Sequence, residues 1–360
     1  MAVSAVTAVV GALWWARPSS YPFGPGDRVT VTLSHFLDHD VAGPVVLLAG
    51  LLGLVAAGLA LRRPGSPCWF LRVVALLEVG LFGLVLSDAG VMSLFGYLAA
   101  VATPAVVLAV VVMSCLKRQW PGLLVLSVVA VLIAVGVTTG LLSADTLASF
   151  AHNLAAAFSL YLTRLMWTAA NAVVAVHWLF HALRSWGVGR GRRAALPDWA
   201  TPGSAARWGR IATIGAALCP LPYALYRLTW LTPWPVGGTE AGPADLGTRL
   251  QGSLIGVAAL LACVPILGLI SRWGEVFPGW VPRLRGRPVP PMLAVIPGGV
   301  VALACCLSAP GVVVGSVLSG SPLVLLFPYP VWGPLLGAAV LAYWLRRRQG
   351  PAPAVPGGAG

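Results

Sequence analysis

The chain has 360 residues, of which 58% are hydrophobic and only 9% are charged, against roughly a quarter charged in a typical soluble domain. Its mean hydropathy is +0.88, and several apolar stretches exceed the ~18 residues that indicate a transmembrane helix. The formal charge of +13 comes from short basic clusters between apolar runs. That pattern is typical of membrane topology and argues against a nucleic-acid-binding protein, which would carry its charge along one face.

The apolar segments predict an all-α fold, a polytopic bundle of transmembrane helices. Backbone groups cannot stay unpaired in hydrocarbon, which leaves helices or closed barrels, and these segments do not alternate as barrel strands do. We predict one transmembrane domain over residues 1–348 and a disordered Pro/Gly/Ala tail over residues 349–360. The ten predicted spans are about 2–16, 43–61, 71–88, 92–116, 121–142, 148–183, 208–231, 250–271, 290–318 and 323–345.

The charges alternate between loops in a way that supports ten spans. With that number, 18 basic residues fall on one face: Arg62, Arg63, Arg72, Lys117, Arg118, Arg184, Arg190, Arg192, Arg193, Arg207, Arg210, Arg272, Arg283, Arg285, Arg287, Arg346, Arg347 and Arg348. Seven of the ten acids fall on the other: Asp27, Asp38, Asp40, Asp88, Asp145, Glu240 and Asp245. The positive-inside rule then predicts that both termini are cytoplasmic and that the arginine clusters contact anionic lipid headgroups.

Two segments have unusual lengths for a span. Residues 2–16 only just cross the membrane at ~1.5 Å per residue, and the stretch from residue 145 to residue 183 is longer than the ~30 Å hydrocarbon core requires. The long segment either projects from the membrane or has a separate interfacial helix at residues 145–159. Three Gly-x-x-x-Gly motifs, at residues 136–140, 252–256 and 333–337, predict helix–helix contacts within the bundle.

Residues 219–234 (CPLPYALYRLTWLTPW) predict a proline-interrupted span with a buried cation and an aromatic anchor. Pro220 and Pro222 interrupt the backbone hydrogen bonds of the helix. Tyr223 lies one turn before Arg227, so the arginine can stack on the ring. An arginine just below the interface can also extend its charge toward the headgroups. Snorkelling or pairing and substrate binding are both open roles for Arg227.

Three stretches of the C-terminal half resemble a known family. They are residues 272–290 (RWGEVFPGWVPRLRGRPVP), residues 219–234 and residues 334–348 (PLLGAAVLAYWLRRR). These stretches are similar to parts of an uncharacterised family of multi-pass integral membrane proteins from high-GC actinobacteria, and the likeness lies mainly in residues 208–348. The resemblance implies a polytopic fold and a location in the cell membrane. The family has no assigned reaction, so it implies no catalytic residue.

Glu78 lies in the middle of the third predicted span. A carboxylate at that depth costs a few kcal/mol on insertion scales, so the side chain should face the bundle interior with a partner or be protonated. Arg164 and Arg227 are the cations that other spans offer. One hypothesis is an ion pair or proton-handling site at Glu78, and the other is a structural polar contact between helices.

The sixth predicted span carries a polar face. At 100° per residue, Arg164 and Asn171 lie close together on a helix, with Asn153 in line if the helix is continuous, and His177 and His181 form a second stripe with His152. His177 and His181 have the i, i+4 spacing of metal-binding helices. No acidic residue lies between them and no other predicted span contains a histidine, so histidines near the interface are the alternative to a metal or haem site.

The loop before the second span has the string His35, Asp38, His39 and Asp40, whose imidazoles and carboxylates suit zinc or a similar divalent ion. A solvated polar loop explains the same residues without a metal. The chain has no phosphate-binding loop, dinucleotide fingerprint, nucleophile elbow or metalloprotease motif. No catalytic residue and no cofactor is therefore predicted.

These features predict a multi-pass membrane protein without an enzyme signature. A permease-like carrier would have a water-accessible cavity that joins Glu78, Arg227 and the polar face of the sixth span. A membrane partner or scaffold would have a sealed bundle and would bind another protein at residues 184–210 or 272–291. The alternative is a membrane-embedded enzyme that acts on a lipid-linked substrate at the outer face, where Asp145 would join the loop string around His35.

Overall fold

The computed structural model of the protein describes residues 1–24, 27, 29, 32–62, 69–116, 120–185, 197–232, 236, 245–279 and 284–348. Over these residues the fold is all-α, and extended pairing is limited to one bridge between Val276 and Pro288. The helices are α1 (Ala2–Ala16), α2 (His39–Arg62), α3 (Trp69–Gly80), α4 (Gly90–Leu116), α5 (Trp120–Thr138), α6 (Ala144–Ser185), α7 (Pro202–Leu218), α8 (Leu221–Leu228), α9 (Leu246–Gly268), α10 (Met292–Ser319), α11 (Leu323–Leu326) and α12 (Tyr329–Arg348).

Five helical stretches within the described residues are long and apolar enough to cross a membrane. They are His39–Arg62, Pro202–Leu231, Leu246–Gly268, Met292–Ser319 and Leu323–Arg348. A sixth candidate is the pair Trp69–Val85 and Gly90–Val106, which is bent by 50° at a short break. The all-α prediction is confirmed, and the structure supports a membrane protein with at least five candidate spans.

Helix α2 shows why lipid, and not water, suits the outer surface of these helices. Its buried positions carry mostly small residues, among them Gly50, Gly53 and Ala56. Its large apolar side chains, such as Leu48 and Val55, are 57% and 53% exposed. In water this arrangement would leave a large apolar surface unpaired. In a bilayer the helices gain nothing by burying leucine, and small residues let their backbones approach closely.

Contacts divide the chain into two compact units. The first unit contains Met1–Leu94, Phe158–Ala194 and Leu307–Val324. Its tightest helix pair is α1 with α2, which run antiparallel because Gly50 faces Ala8 while Gly43 faces Trp15. A second cluster of buried side chains joins Ala56 of α2, Val74 and Ala75 of α3, and Trp178 of α6.

The second unit contains Phe95–Ala157, Ala195–Cys306 and Leu325–Gly360. Helices α7 and α12 pack against each other, with Gly209 against Ala342. The main core cluster of this unit includes Ala216 of α7, Ile266 of α9 and Tyr343 of α12. Thr201 starts α7 by accepting a hydrogen bond from the Ser204 backbone nitrogen, and Asp245 starts α9 in the same way through Thr248.

Two of the three Gly-x-x-x-Gly motifs make the predicted contacts. Gly252 and Gly256 of α9 pack on Trp230 and Arg227, and the motif at residues 333–337 packs α12 on Cys306 and Ala302 of α10. In the motif at residues 136–140, Gly136 faces Leu142 of the turn that follows α5, and Gly140 lies beyond the end of α5. Its second glycine, Gly140, has φ of 74° and reverses the chain after α5.

Three predicted spans form helices that are unusual in length, hydropathy or shape. Helix α1 has 15 residues, about 22 Å at 1.5 Å per residue, which is shorter than the hydrocarbon core. Helix α6 is one continuous helix of 42 residues, so residues 145–159 do not form a separate helix. It is not among the helices apolar enough to be candidate spans, because its polar residues lower its hydropathy. Predicted spans 71–88 and 92–116 form the bent pair described above.

The glycine contact between α1 and α2 gives a prediction about stability. A β-carbon at Gly50 would overlap the backbone nitrogen of Ala8, whereas one at Gly58 of the same helix meets no atom within 4 Å. We expect Gly50→Val to lower the free energy of unfolding by about 1–3 kcal/mol, and Gly58→Val to change it little. Thermal unfolding of the purified protein in detergent measures both. Equal destabilisation by the two variants would contradict this packing.

Candidate functional site: a buried arginine between two aspartates

The site is built at the break between α3 and α4. After Gly80 the chain makes one wider π-helical turn at Leu81–Val85, and α4 starts again at Gly90. Ser87 donates from its hydroxyl to the carbonyls of Phe82 and Gly83, both at 3.0 Å. A π turn interrupts the regular hydrogen-bond ladder, and such turns are frequent at functional sites.

Side chains of α6 bind the backbone groups that this break leaves free. The Leu86 carbonyl accepts hydrogen bonds from Trp167 Nε1 at 2.9 Å and Asn171 Nδ2 at 3.0 Å. The Asp88 backbone nitrogen donates to Thr168 Oγ1 at 3.2 Å. Unpaired backbone groups cost several kcal/mol in hydrocarbon. The break is therefore stable only with these partners from α6.

Asp88 lies inside the break and is 1% exposed. Its Oδ1 accepts from the Gly90 backbone nitrogen at 2.6 Å, which places the carboxylate at the start of α4. Negative charge is favourable there because the first backbone N–H groups of a helix have no partner within the helix. Its other oxygen, Oδ2, accepts from Arg164 Nη1 at 2.6 Å.

Arg164 of α6 binds a second carboxylate. Its Nη2 donates to Asp27 Oδ1, and the side chains of Arg164, Asp27 and Asp88 are only 8%, 4% and 0% exposed. Arg164, Trp167, Thr168 and Asn171 have the i, i+3, i+4, i+7 spacing of one helix face. One face of α6 therefore supplies both the cation and the groups that bind the break.

The loop after α1 brings Asp27 to this site. Gly24 has φ of +104°, a conformation that favours glycine, and its carbonyl accepts from the Asp27 backbone nitrogen at 3.0 Å. The Asp27 Oδ1 atom also accepts from the Val29 backbone nitrogen at 3.1 Å. These hydrogen bonds fix the position of Asp27 relative to Gly24 and Val29.

Aromatic rings lie close to Arg164 and to one another. The Arg164 guanidinium lies 6.0 Å from the centre of the Phe23 ring, and Trp14 lies 5.0 Å from Tyr21 and 5.2 Å from Trp167. The Tyr21 hydroxyl donates to the Leu37 carbonyl at 3.0 Å. Burial, with smaller contributions from Asp38 and Asp27, raises the pKa of Tyr21 to about 12, so this loop residue stays a neutral donor.

The three charges do not balance. With both carboxylates ionised, the triad of Asp27, Arg164 and Asp88 carries a net charge of −1. Asp27 Oδ2 is buried and has no hydrogen-bond partner among the described residues. A buried acceptor without a partner costs about 1–3 kcal/mol, and more when it is charged. The triad therefore has room for one further positive charge at Asp27.

The structure places Glu78 differently from one predicted pairing. Glu78 is 3% exposed and lies on the face of α3 that also buries Val74 and Ala75. Arg164, one of the two cations that the sequence offered to Glu78, binds Asp27 and Asp88 instead. Over the described ranges Glu78 has neither a hydrogen bond nor an ion pair. A protonated carboxyl is the form that burial without a counter-charge favours.

Arg227 lies in the second unit among aromatic rings. Its guanidinium is 4.2 Å from the centre of the Trp230 ring and 5.3 Å from that of Tyr223, and its Nε donates to the Tyr223 hydroxyl at 3.0 Å. This is the predicted contact between Tyr223 and Arg227. Glu78 belongs to the first unit and Arg227 to the second, so the predicted cavity that joins them stays a prediction.

The histidine pair of α6 makes a ring contact. His177 and His181 lie 4.7 Å apart, centre to centre. Asn153, predicted in line with Arg164, hydrogen-bonds Thr248 of α9 at 3.4 Å. His152 is exposed.

The predicted metal string does not form a ligand set. His39 contacts Asp38 through Nδ1 at 3.2 Å and Asp40 through Nε2 at 3.1 Å, so both ring nitrogens are engaged by neighbours in sequence. His35 has a buried Nδ1 without a partner in the part of the chain that the structure describes. Among the described residues, no three His, Cys, Asp or Glu side chains are arranged to hold a metal ion.

Sequence reasoning found two members of the site, Arg164 and Asn171, and missed the carboxylates. It counted Asp27 and Asp88 only among the acids of the outer face, whereas both are buried against Arg164. Thr168 and Trp167 could have been found, because they complete the i, i+3, i+4, i+7 stripe with the two predicted residues.

Comparison with known proteins gives no relative. No family model, no curated protein and no solved structure matches the chain. The resemblance to an actinobacterial membrane family stays a prediction.

The triad gives a second prediction. Arg164→Gln leaves two buried carboxylates without a cation, and we expect a loss of about 3–5 kcal/mol in the free energy of unfolding. Asp88→Asn keeps an acceptor for the Gly90 nitrogen and one carboxylate for Arg164, so a smaller loss of about 1–3 kcal/mol is expected. Thermal unfolding in detergent compares them. The control is Arg184→Gln at an exposed position of α6, and a loss for Arg164→Gln as small as that for the control would refute the buried triad.

Proposed function

We propose that the protein is a multi-pass membrane carrier in which the Asp27–Arg164–Asp88 triad binds and releases a proton. The observation that carries this proposal is the unbalanced charge of the triad, with a buried Asp27 oxygen that has no partner over the described ranges. Ionisable side chains within membrane proteins face the interior and commonly belong to ion pathways or proton relays.

The broken helix supports the same proposal. Secondary transporters bind substrates and ions where transmembrane helices are interrupted, because the interruption exposes backbone groups and helix ends. Here the interruption between α3 and α4 places Asp88 at a helix start and beside Arg164. Protonation of Asp27 would neutralise the triad and weaken its bond to Arg164. The bond between Asp27 and Arg164 connects the loop after α1 to α6, so a proton can change how firmly that loop is held.

The other predicted roles receive less support. A scaffold that binds a partner at residues 184–210 or 272–291 needs loops of which residues 186–196 and 280–283 lie outside the described residues. An outer-face enzyme acting on a lipid-linked substrate needs convergent acidic and histidine side chains, and the described residues form no such group of three that suits a metal. Glu78 remains a second proposed proton-handling residue, because it is buried without a counter-charge.

The proposed topology has ten crossings in the cell membrane, with both termini in the cytoplasm and the arginine clusters on anionic headgroups. The bent pair α3 and α4 is the decisive element. If it crossed once, Arg62 and Arg118 would lie on opposite faces and the alternation of basic loops would be lost. The charge distribution therefore favours a pair whose two ends lie on the same face. In the ten-crossing topology, α3 and α4 each cross the membrane once; a re-entrant pair would also keep both ends on one face.

The proton site is tested by infrared difference spectroscopy of the purified protein over a pH series. We expect wild type to show a carboxyl C=O band that appears on acidification, is lost in Asp27→Asn and is retained in the matched control Asp40→Asn, which alters an exposed acid in the first turn of α2. Glu78→Gln shows whether any part of the band comes from the second buried carboxyl group.

In proteoliposomes with a trapped pH dye, Asp27→Asn should reduce proton flux at least about tenfold, which equals about 1.4 kcal/mol. An unchanged band and flux in Asp27→Asn would refute the proposal.

The topology gives a separate prediction. Reporter fusions after Pro64, Gln119 and Gly191 should all indicate the cytoplasmic face, because each position lies within a basic loop that the positive-inside rule assigns to that side. A fusion after Gly140 should indicate the opposite face and serves as the control. Opposite readings after Pro64 and Gln119 would mean that α3 and α4 cross the membrane once.

A further inference from the structure

The second unit contains an apolar groove with a volume of about 900 Å³. Its walls come from α9, α10 and α12, with Ile266, Val301 and Leu336 among the lining residues, and Trp273 and Phe277 of the α9–α10 loop close one end. The volume falls within the range of ligand pockets, which are about 300–1,000 Å³. None of the residues that line the groove belongs to the triad.

One end of the groove is basic. Arg346 of α12 binds Glu275 at 3.0 Å and the Leu269 carbonyl, and Arg347 Nη2 donates to the Val289 carbonyl at 2.7 Å. Leu269 and Val289 both line the groove, so the two guanidinium groups lie at its rim. The α9–α10 loop and the end of α12 together carry six described arginines against one glutamate: Arg272, Arg285, Arg287, Arg346, Arg347 and Arg348 against Glu275.

Two buried donors along the groove lack an acceptor. Arg347 Nε and Trp332 Nε1 are buried and have no hydrogen-bond partner among the described residues. Trp332 lines the groove, and Arg347 lies at its basic rim. Buried polar groups in folded proteins are almost always hydrogen-bonded, so an unpaired buried donor needs an explanation, such as a partner outside the chain.

The length and surroundings of the groove indicate the class of ligand. Trp332 and Tyr343, which both line it, are 11 residues apart on α12, about 16 Å along the helix. That is about half of the ~30 Å hydrocarbon core, the depth of one leaflet. All three walls belong to helices that are long and apolar enough to span the membrane, which makes membrane lipid the class of ligand that surrounds this part of the chain.

We propose that this groove binds one acyl chain of an anionic phospholipid, whose phosphate accepts hydrogen bonds from the guanidinium of Arg347. The apolar walls take the chain because its burial removes apolar surface from a poorly filled cavity. The basic rim selects the headgroup, since a charged phosphate forms short, strong hydrogen bonds with arginine. A zwitterionic lipid offers the same chain but no net negative charge, so it binds more weakly.

The first test measures lipid binding to the full chain by native mass spectrometry, with phosphatidylglycerol and phosphatidylcholine of identical chains. We expect phosphatidylglycerol to bind wild type at least about tenfold more tightly, a difference of 1.4 kcal/mol. Arg347→Gln should remove most of that preference, and Arg184→Gln, which alters an exposed arginine of α6 that is not part of the groove or its basic end, should retain it. Equal affinity of wild type for both lipids, or equal effects of the two variants, would overturn the proposal.

A matched pair of variants tests the acyl-chain site. Val301 lines the groove and its neighbour Val300 is exposed outside it. Val301→Phe should fill the cavity and weaken both lipids about tenfold, whereas Val300→Phe should weaken neither. Inorganic phosphate should not displace the bound lipid. Displacement by phosphate together with no effect of Val301→Phe would assign a simple anion site and overturn the proposal.

A third measurement uses wild type alone, so it holds even where a variant fails to fold. Phosphatidylglycerol with a photoreactive group at the chain end should label peptides that contain residues 262–269, 293–301 or 332–343, which line the groove. Excess unlabelled phosphatidylglycerol should suppress this labelling, and phosphatidylcholine should do so less well. Labelling spread evenly over the exposed helices would overturn the proposal.

Discussion

The interior of the first unit depends on one requirement, that the backbone groups freed between α3 and α4 find partners away from water. In hydrocarbon each unpaired group costs several kcal/mol. The Leu86 carbonyl and the Asp88 nitrogen obtain partners from Trp167, Asn171 and Thr168, all on one face of α6. This requirement fixes which face of α6 points inward, and Arg164 lies on that same face. The position of the cation is thus a consequence of the helix break.

A buried arginine then requires anions, and the chain supplies two from outside the regular helices. Asp88 comes from the break itself and Asp27 from the loop after α1. Burial removes water from all three charged groups and so costs free energy of hydration. Only close pairing between the charges offsets this cost. An apolar pair would stabilise such a position as well. The retention of three charges, with one carboxylate oxygen unpaired, is therefore more easily explained by a function that uses charge than by stability alone.

The sequence predicts that lipid surrounds the helices, that the fold is all-α, and which face of α6 points inward. These properties depend on composition and on a period of 3.6 residues. It did not predict the partner of Arg164. The π turn at Leu81–Val85 adds a residue to one turn and so rotates everything after it by about 100°, which no hydropathy pattern reveals. Asp27 was equally hidden, since its bond to Arg164 joins residues that are 137 positions apart in the sequence. Long-range pairing of loop carboxylates is not encoded in any local spacing.

The two units also show two uses of buried polar groups. In the first unit the donors of Trp167 and Asn171 are matched to a carbonyl of the same chain, which makes the break a rigid part of the fold. In the second unit the donors of Trp332 and Arg347 have no acceptor within the described residues, although they lie along and at the rim of an apolar groove. Apolar side chains could fill the groove, but they would leave the Arg347 donor without an acceptor. A molecule with an apolar chain and an anionic head can fill the groove and also accept a hydrogen bond from Arg347, and among the components of a bilayer an anionic lipid has that form.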